Sequence, residues 1–176
     1  MREPFQNEPF TDFNVTDHIN DFQEALRKVE LELGREYMLK IGADRIETIQ
    51  KRKSINPSNV KQIVGIVSQA DTNFAHKAVL AAAAAFEDWK KVAPPARARV
   101  LYKAGALLRR RKHEFSAWLV YEAGKSWAEA DGDTAEAIDF LEFYGREMER
   151  LSERQPLVPL TGEDNELVYI PLGVGV

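Results

Sequence analysis

The stretch from Tyr121 to Leu151 constrains the fold more than any other part of the 176-residue chain. Its apolar positions Trp127, Ala130, Thr134, Ala137, Leu141, Tyr144, Met148 and Leu151 recur at alternating three and four. That spacing lays one stripe of a long helix against the rest of the protein. Ile138, Phe140 and Phe143 widen the stripe, which predicts packing on more than one neighbour rather than a single coiled-coil partner. The punctuation agrees with the period. Gly124 stands where a left-handed C-cap residue belongs, and Ser126 with Glu129 makes the capping-box pattern that opens a new helix.

The remaining elements follow in order. Residues 1–15 carry Pro4, Pro9, Phe5, Phe10 and Phe13 without a helical or strand period, and predict an extended arm laid over a body. From Thr16 or Asp17 as N-cap, Ile19, Phe22, Leu26, Val29 and Leu33 predict an amphipathic helix closed by Gly34. The alternations Tyr37-Leu39-Ile41 and Ile63-Gly65-Val67, set off by turn residues at 42–44 and 56–59, predict a small antiparallel meander. Asp71 caps a helix through Phe74, Ala78, Ala81, Ala85 and Trp89, whose alanine run offers a thin surface for close approach. Pro94 and Pro95 pre-set the first turn of the next helix. That helix places Val100, Leu101, Ala104, Leu107 and Leu108 on one side, with a bend near Lys112 or His113. Gln155 to Leu160 and Glu166 to Ile170 flank a polar turn and predict a C-terminal β-hairpin.

The last residues, Leu172 to Val176, read as the opening of a strand made of Gly and Val, with no polar face. Such a strand belongs inside a parallel sheet covered on both sides. Nothing earlier in the sequence supplies that sheet, so the expectation is the front portion of a longer protein.

Bulk properties exclude several classes of function. The chain has 24 basic and 28 acidic residues, for a net charge of −4, so general affinity for nucleic acid is not expected. It has no cysteine, which removes disulfides, thiolate metal sites and any cysteine nucleophile within these residues. The longest apolar run, Ala78 to Phe86, is too short to span a bilayer, and no signal-peptide core stands at the N-terminus; the cytoplasm is the simplest compartment.

Candidate chemistry is sparse. Ala123-Gly124-Lys125-Ser126 resembles the tail of a phosphate-binding loop, but that motif needs a glycine where Leu119 stands, and a preceding strand. A C-cap followed by an N-cap is the better reading. Arg109 to Lys112 form the one dense basic run; at a helix C-terminus they read as a solvated end favoured by the macrodipole. His18, His76 and His113 are scattered without further ligands at metal spacing, so no metal site is expected. Glu136 shares a helix face with Phe140 and Phe143, four and seven residues on, so its carboxylate stands above two rings. A carboxylate in apolar surroundings must be paired, protonated or used. Since Glu129 and Glu147 of that face are charged, the residues alone favour plain solvation.

Five segments carry a resemblance to a known family: EPFTDF at 8–13, GREY at 34–37, SINPSN at 54–59, RARVLYKAGALLRRRKHEFSAWLVYEAGKSWAEADGDTAEAIDFLEFY at 97–144, and VYIPLGVGV at 168–176. Together they resemble the N-terminal part of the pyrroline-5-carboxylate dehydrogenases, within the aldehyde dehydrogenase superfamily, over essentially the whole chain. The resemblance implies an α/β fold whose first 154 residues are the helical part of an NAD-binding domain. It further implies an oligomerisation-type hairpin at 155–170 and the start of the first Rossmann-type strand at 171–176. The implied activity is NAD-dependent oxidation of L-glutamate gamma-semialdehyde to L-glutamate in proline and arginine breakdown, by an enzyme that assembles as a homo-oligomer through that hairpin.

In that family a cysteine thiolate attacks the aldehyde, and the cysteine, general base and cofactor-binding glycines lie downstream of the matched region. Residues 1–176 alone are therefore expected to be catalytically incomplete, with neither catalytic nor NAD-binding residues. The resemblance also places Glu136 on a helix bordering the aldehyde entry tunnel, making it the one candidate substrate-binding residue. Two alternatives stay open: a non-catalytic helical assembly module, and an aldehyde dehydrogenase acting on another aldehyde.

Overall fold

The computed structural model describes residues 4–176. Of the arm expected over 1–15, residues 1–3 lie outside the described residues, 4–12 have no helix or strand, and 13–15 turn into the first helix. Helix α1, Thr16–Glu30, buries Phe22 and Val29. Its N-cap is Val15, without a side-chain cap, rather than Thr16 or Asp17. Asp12 organises the entry instead, accepting from the Asn14 amide at 2.9 Å. The helix also stops short of Gly34. Residues 31–34 form a turn, and Gly34, at φ 76°, donates to the Val64 carbonyl at 3.0 Å. That glycine leads the chain into the sheet rather than capping the helix.

Five short strands follow: β1 (Arg35–Tyr37), β2 (Leu39–Ile41), β3 (Asp44–Ile46), β4 (Lys51–Ile55) and β5 (Ile63–Ser68). Strands β2 and β3 form a hairpin whose two-residue turn uses the positive φ of Gly42. The other three form a sheet in the order β1-β5-β4. Here the expected antiparallel meander is corrected: β4 pairs antiparallel with β5, but β1 runs parallel to β5. Local alternation sets no partner, and the β2–β3 hairpin turns the chain back before β5 pairs with β1. Strand β4, Lys-Arg-Lys-Ser-Ile, carries no apolar period; its charges suit an exposed sheet edge.

Asp71 caps α2 (Thr72–Trp89) as expected, accepting from the Phe74 amide at 2.9 Å. None of the α2 side chains is buried, and Val79, Leu80 and Trp89 are exposed. Pro94 and Pro95 open α3 (Pro94–Arg110). A break at Arg111 separates it from α4 (Lys112–Ala123), which ends at Gly124 with φ 68°. The capping box of Ser126 and Glu129 then starts α5 (Trp127–Ser152).

The core lies where α1, α3 and α4 meet α5. Its fully buried residues are mostly small: Ala98, Ala117, Ala130 and Ala135 beside Phe22, Val29 and Ile138. Small side chains bring the helix backbones close, and they turn the buried face of α5 from the expected stripe. Ala130, Thr134 and Ile138 are buried as expected and are joined by Asp131, Ala135 and Gly145, while Ala137, Phe140 and Phe143 are exposed and Tyr144 lies outside on Phe140, the two rings stacked at 5.8 Å. On α3 the same shift buries Ala98 and Gly105 and leaves Val100 and Leu107 exposed. Beyond α5, residues 153–176 keep the expected turn, with the Glu163 amide donating to the Leu160 carbonyl at 3.1 Å. The flanks make no strand ladder in this structure, and their apolar side chains are exposed.

Candidate functional site

Helical geometry fixes the surroundings of Glu136. Phe140 and Phe143 follow on its face of α5, and Tyr144 stacks beside them. The N-terminal arm crosses this face and adds Phe5 and Asn7. The result is a cleft of ≈ 320 Å³ lined by Phe5, Asn7, Glu136, Asp139, Phe140, Phe143 and Tyr144. Phe5 meets Phe143 edge-on, with ring centroids 5.7 Å apart and planes at 76°. Glu136 itself is exposed to solvent at the cleft. Its helical spacing to the two phenylalanines was readable in the sequence; the wall contributed by the arm was not.

The arm is held by a polar network that sequence reasoning missed. Asp131 is 1% exposed. Its carboxylate accepts from the Thr11 amide at 2.8 Å, the Thr11 hydroxyl at 2.6 Å and the Lys112 ammonium at 2.9 Å. Lys112 also donates to the Pro9 carbonyl at 2.9 Å. Burial alone would push the Asp131 carboxyl up, but the Thr11 hydrogen bonds and Lys112 outweigh it and hold it below the ordinary value. Eight residues along, Asp139 accepts from the Asn7 side chain and the Glu8 amide, both at 2.7 Å. Glu8 in turn accepts from Arg109 at 2.7 Å.

The reading of Arg109 to Lys112 as a solvated helix end holds for the exposed Arg109, Arg110 and Arg111 at the end of α3, and is corrected at Lys112. Lys112 is a nearly buried cation, and Arg109 clasps the arm. The signal was faint: an aspartate four residues after Trp127 belongs equally to a solvent face, and only the folded arm supplies its partners.

Other candidates resolve into structure. Lys125 pairs with Asp133, and Gly124 and Ser126 act as caps, so no phosphate loop forms at 123–126. His18 Nδ1 lies 3.0 Å from the Asp12 carbonyl oxygen, and His113 packs edge-on against Phe22. Burial lowers the His113 pKa and outweighs the opposing pull of the Asp131 charge. Among the described residues no group of three His, Asp or Glu side chains could hold a metal ion. A larger cavity of ≈ 810 Å³ between β5, α4 and α5 is lined by Trp118, Phe115 and Tyr37, with Glu114, Glu122 and Asp133 at its edge. Each of those carboxylates has a partner: Arg111, Ser54 and Lys125 respectively.

A dinucleotide cofactor needs a tight glycine turn leading into a helix N-terminus that receives the pyrophosphate. Gly173 and Gly175 are the glycines nearest to such a turn, yet they lie in an exposed extended segment, where an added Cβ would meet nothing within 4 Å. The described residues do not by themselves form that cradle.

Comparison with known proteins gives a consistent picture. Residues 45–176 match the family described as the aldehyde dehydrogenase family. Over all 176 residues the chain is 53% identical to 1-pyrroline-5-carboxylate dehydrogenase of Geobacillus thermodenitrificans (strain NG80-2), covering 34% of that protein. It is 52% identical to the protein of the same name from Bacillus subtilis (strain 168), again over 100% of this chain and 34% of the relative. Among solved structures, the Thermus 1-pyrroline-5-carboxylate dehydrogenase with bound NAD superposes with a TM-score of 0.91 at 45% identity. That match covers 97% of this chain and 33% of the Thermus chain. The chain therefore spans about a third of the length of the curated relatives it matches.

Proposed function

The chain belongs to the aldehyde dehydrogenase family, and from that premise we propose that it supplies the N-terminal part of an NAD-dependent enzyme oxidising L-glutamate gamma-semialdehyde to L-glutamate. The observation that carries the proposal is the similarity to 1-pyrroline-5-carboxylate dehydrogenases, spread over all 176 residues at 53% identity. In net terms an aldehyde, NAD and water become a carboxylic acid, NADH and a proton. The family's reaction uses a thiolate nucleophile, and this sequence contains no cysteine. Residues 1–176 accordingly contribute scaffold and substrate approach, not the bond-making groups.

Within that scaffold, Glu136 contacts the incoming substrate. The cleft supports this role: the Glu136 carboxylate stands beside Phe5, Phe140 and Phe143, while the other polar lining groups, Asn7 and Asp139, are bonded to each other, so a few polar groups sit on an apolar wall as in a small-molecule site. NAD use rests on the family, since the described residues hold no pyrophosphate cradle. The exposed Val158, Leu160, Val168 and Ile170 support assembly of a homo-oligomer through residues 155–170, because apolar runs of this kind are normally covered by a partner. A small diffusible substrate and cofactor suit a cytoplasmic enzyme, and no described helix is long and apolar enough to cross a membrane.

The discriminating experiment compares kcat/KM on glutamate gamma-semialdehyde with that on semialdehydes one methylene shorter and longer, using the polypeptide encoded by the complete reading frame. A preference of about tenfold or more for the glutamate-derived aldehyde is expected. A flat profile would point to an aldehyde dehydrogenase of other specificity.

A further inference from the structure

The cleft around Glu136 is made by two pieces of chain far apart in sequence. One wall is the α5 face with Glu136, Phe140 and Phe143; the other is the arm, through Phe5 and Asn7. A helix face is rigid, but an extended arm without secondary structure holds its place only through specific bonds. Those bonds are arranged in two tiers. The nearly buried Asp131 and Lys112 grip Thr11 and the Pro9 carbonyl. Nearer the cleft, Asp139 takes the Asn7 side chain on one oxygen and the Glu8 amide on the other. Asp139 thus lies three residues from Glu136 on α5 and itself lines the cleft, while its carboxylate is committed to the arm.

We propose that Asp139 is a positioning residue: by fixing Asn7 and Glu8 it sets Phe5 and Asn7 as the second wall of the Glu136 cleft, and so governs which aldehydes that cleft admits. The inference rests on the reading that this cleft meets the substrate. Its physical content is local. Phe5 stands two residues before Asn7 and leans edge-on against Phe143, so releasing Asn7 frees the ring that narrows the cleft. Thr11, held independently by Asp131, keeps the rest of the arm docked.

The test uses the polypeptide encoded by the complete reading frame, with Asp139→Ala, Asp139→Glu and Glu136→Gln, each read by steady-state kinetics and by amide hydrogen exchange of the arm. For Asp139→Ala the expected result is faster exchange at the Glu8 amide with the Thr11 amide still protected. KM for glutamate gamma-semialdehyde should rise about tenfold and kcat should stay within about twofold. KM for a short aliphatic aldehyde, which needs no second wall, should change less. Asp139→Glu, which keeps the carboxylate, should restore part of the loss. An unchanged KM in Asp139→Ala, in an enzyme whose KM responds to Glu136→Gln, overturns the positioning role alone. An unchanged KM in Glu136→Gln overturns the substrate reading of the cleft, and this inference with it.

Discussion

Lys112 and Asp131 meet at 2.9 Å across the α4–α5 interface, with side chains only 11% and 2% exposed. A pair this buried is costly to break from one side, because the remaining charge loses both its partner and its water. Asp131→Ala is expected to lower unfolding free energy by about 3–5 kcal/mol. Arg150→Ala, which removes an exposed partner of Glu147, should change it by less than about 1 kcal/mol. Urea titration of both variants measures the contrast, and similar losses would show that the arm network carries no special weight.

Acid should act on the same carboxylate. Its folded pKa lies below the ordinary value, because the Thr11 and Lys112 bonds outweigh the effect of burial. The unfolded chain therefore binds the proton more readily at low pH. The stabilisation is fully present above an unfolded pKa of about 3.9 and is lost as pH falls from there through the folded pKa. Urea midpoints measured as pH is lowered through that range should fall less steeply for Asp131→Asn than for the parent chain.

His113 gives a second, separable window. Burial lowers its pKa, so the folded state favours neutral imidazole. Stability should decline as pH drops below about 6.5, by at most about 1.4 kcal/mol per pH unit from this one group. His113→Leu should flatten the decline between neutrality and the carboxylate range. An unchanged slope in that variant would assign the decline to other groups.

Two glycines should resist substitution for different reasons. At Gly145 an added Cβ would stand 2.5 Å from Tyr102 Cε1, inside the α3–α5 contact, and Gly145→Ala should cost about 1–3 kcal/mol through overpacking. At Gly124 the obstacle is also conformational. Its φ is 68°, and a Cβ would lie 2.9 Å from Pro57 Cγ, so Gly124→Ala should both strain the helix end and push away the 56–59 loop. Thermal melts rank the two, and hydrogen exchange at the Ser58 amide, which donates to Asn56 at 2.8 Å, tells them apart.

Much of this fold was legible where the information is local. The break between α4 and α5 is written in Gly124, Ser126 and Glu129, and the start of α2 in Asp71; each is a cap satisfied within a few residues. The sheet was less legible because β1 and β5 pair over a long separation and β4 carries charges in place of a period. On α5 the apolar count placed Ala130, Thr134 and Ile138 correctly but also pointed to Ala137 and Tyr144, whereas close approach of α3 and α4 selected Ala135 and Gly145. The candidate site divides in the same way. Glu136, Phe140 and Phe143 share a face by helical spacing alone. Phe5 and Asn7 join them only through the folded arm, which Asp139 of the same helix holds.

Glu136→Gln removes the charge while keeping shape. Glu136 is solvent-exposed on α5, so the melting temperature should hold within the usual surface range, about 0.5 kcal/mol in stability. Catalytic efficiency on glutamate gamma-semialdehyde should fall about tenfold in the polypeptide of the complete reading frame. Unchanged kinetics would return the residue to plain solvation.

The most direct measurement is NADH formation from pyrroline-5-carboxylate, made side by side on residues 1–176 and on the polypeptide of the complete reading frame that contains them. Saturable NADH formation by the latter and none by the former is the expected result, because the 176 residues contain no cysteine to form the thiolate. NADH production by residues 1–176 alone, or none by the complete product under conditions where it oxidises short aliphatic aldehydes, would contradict the proposed role.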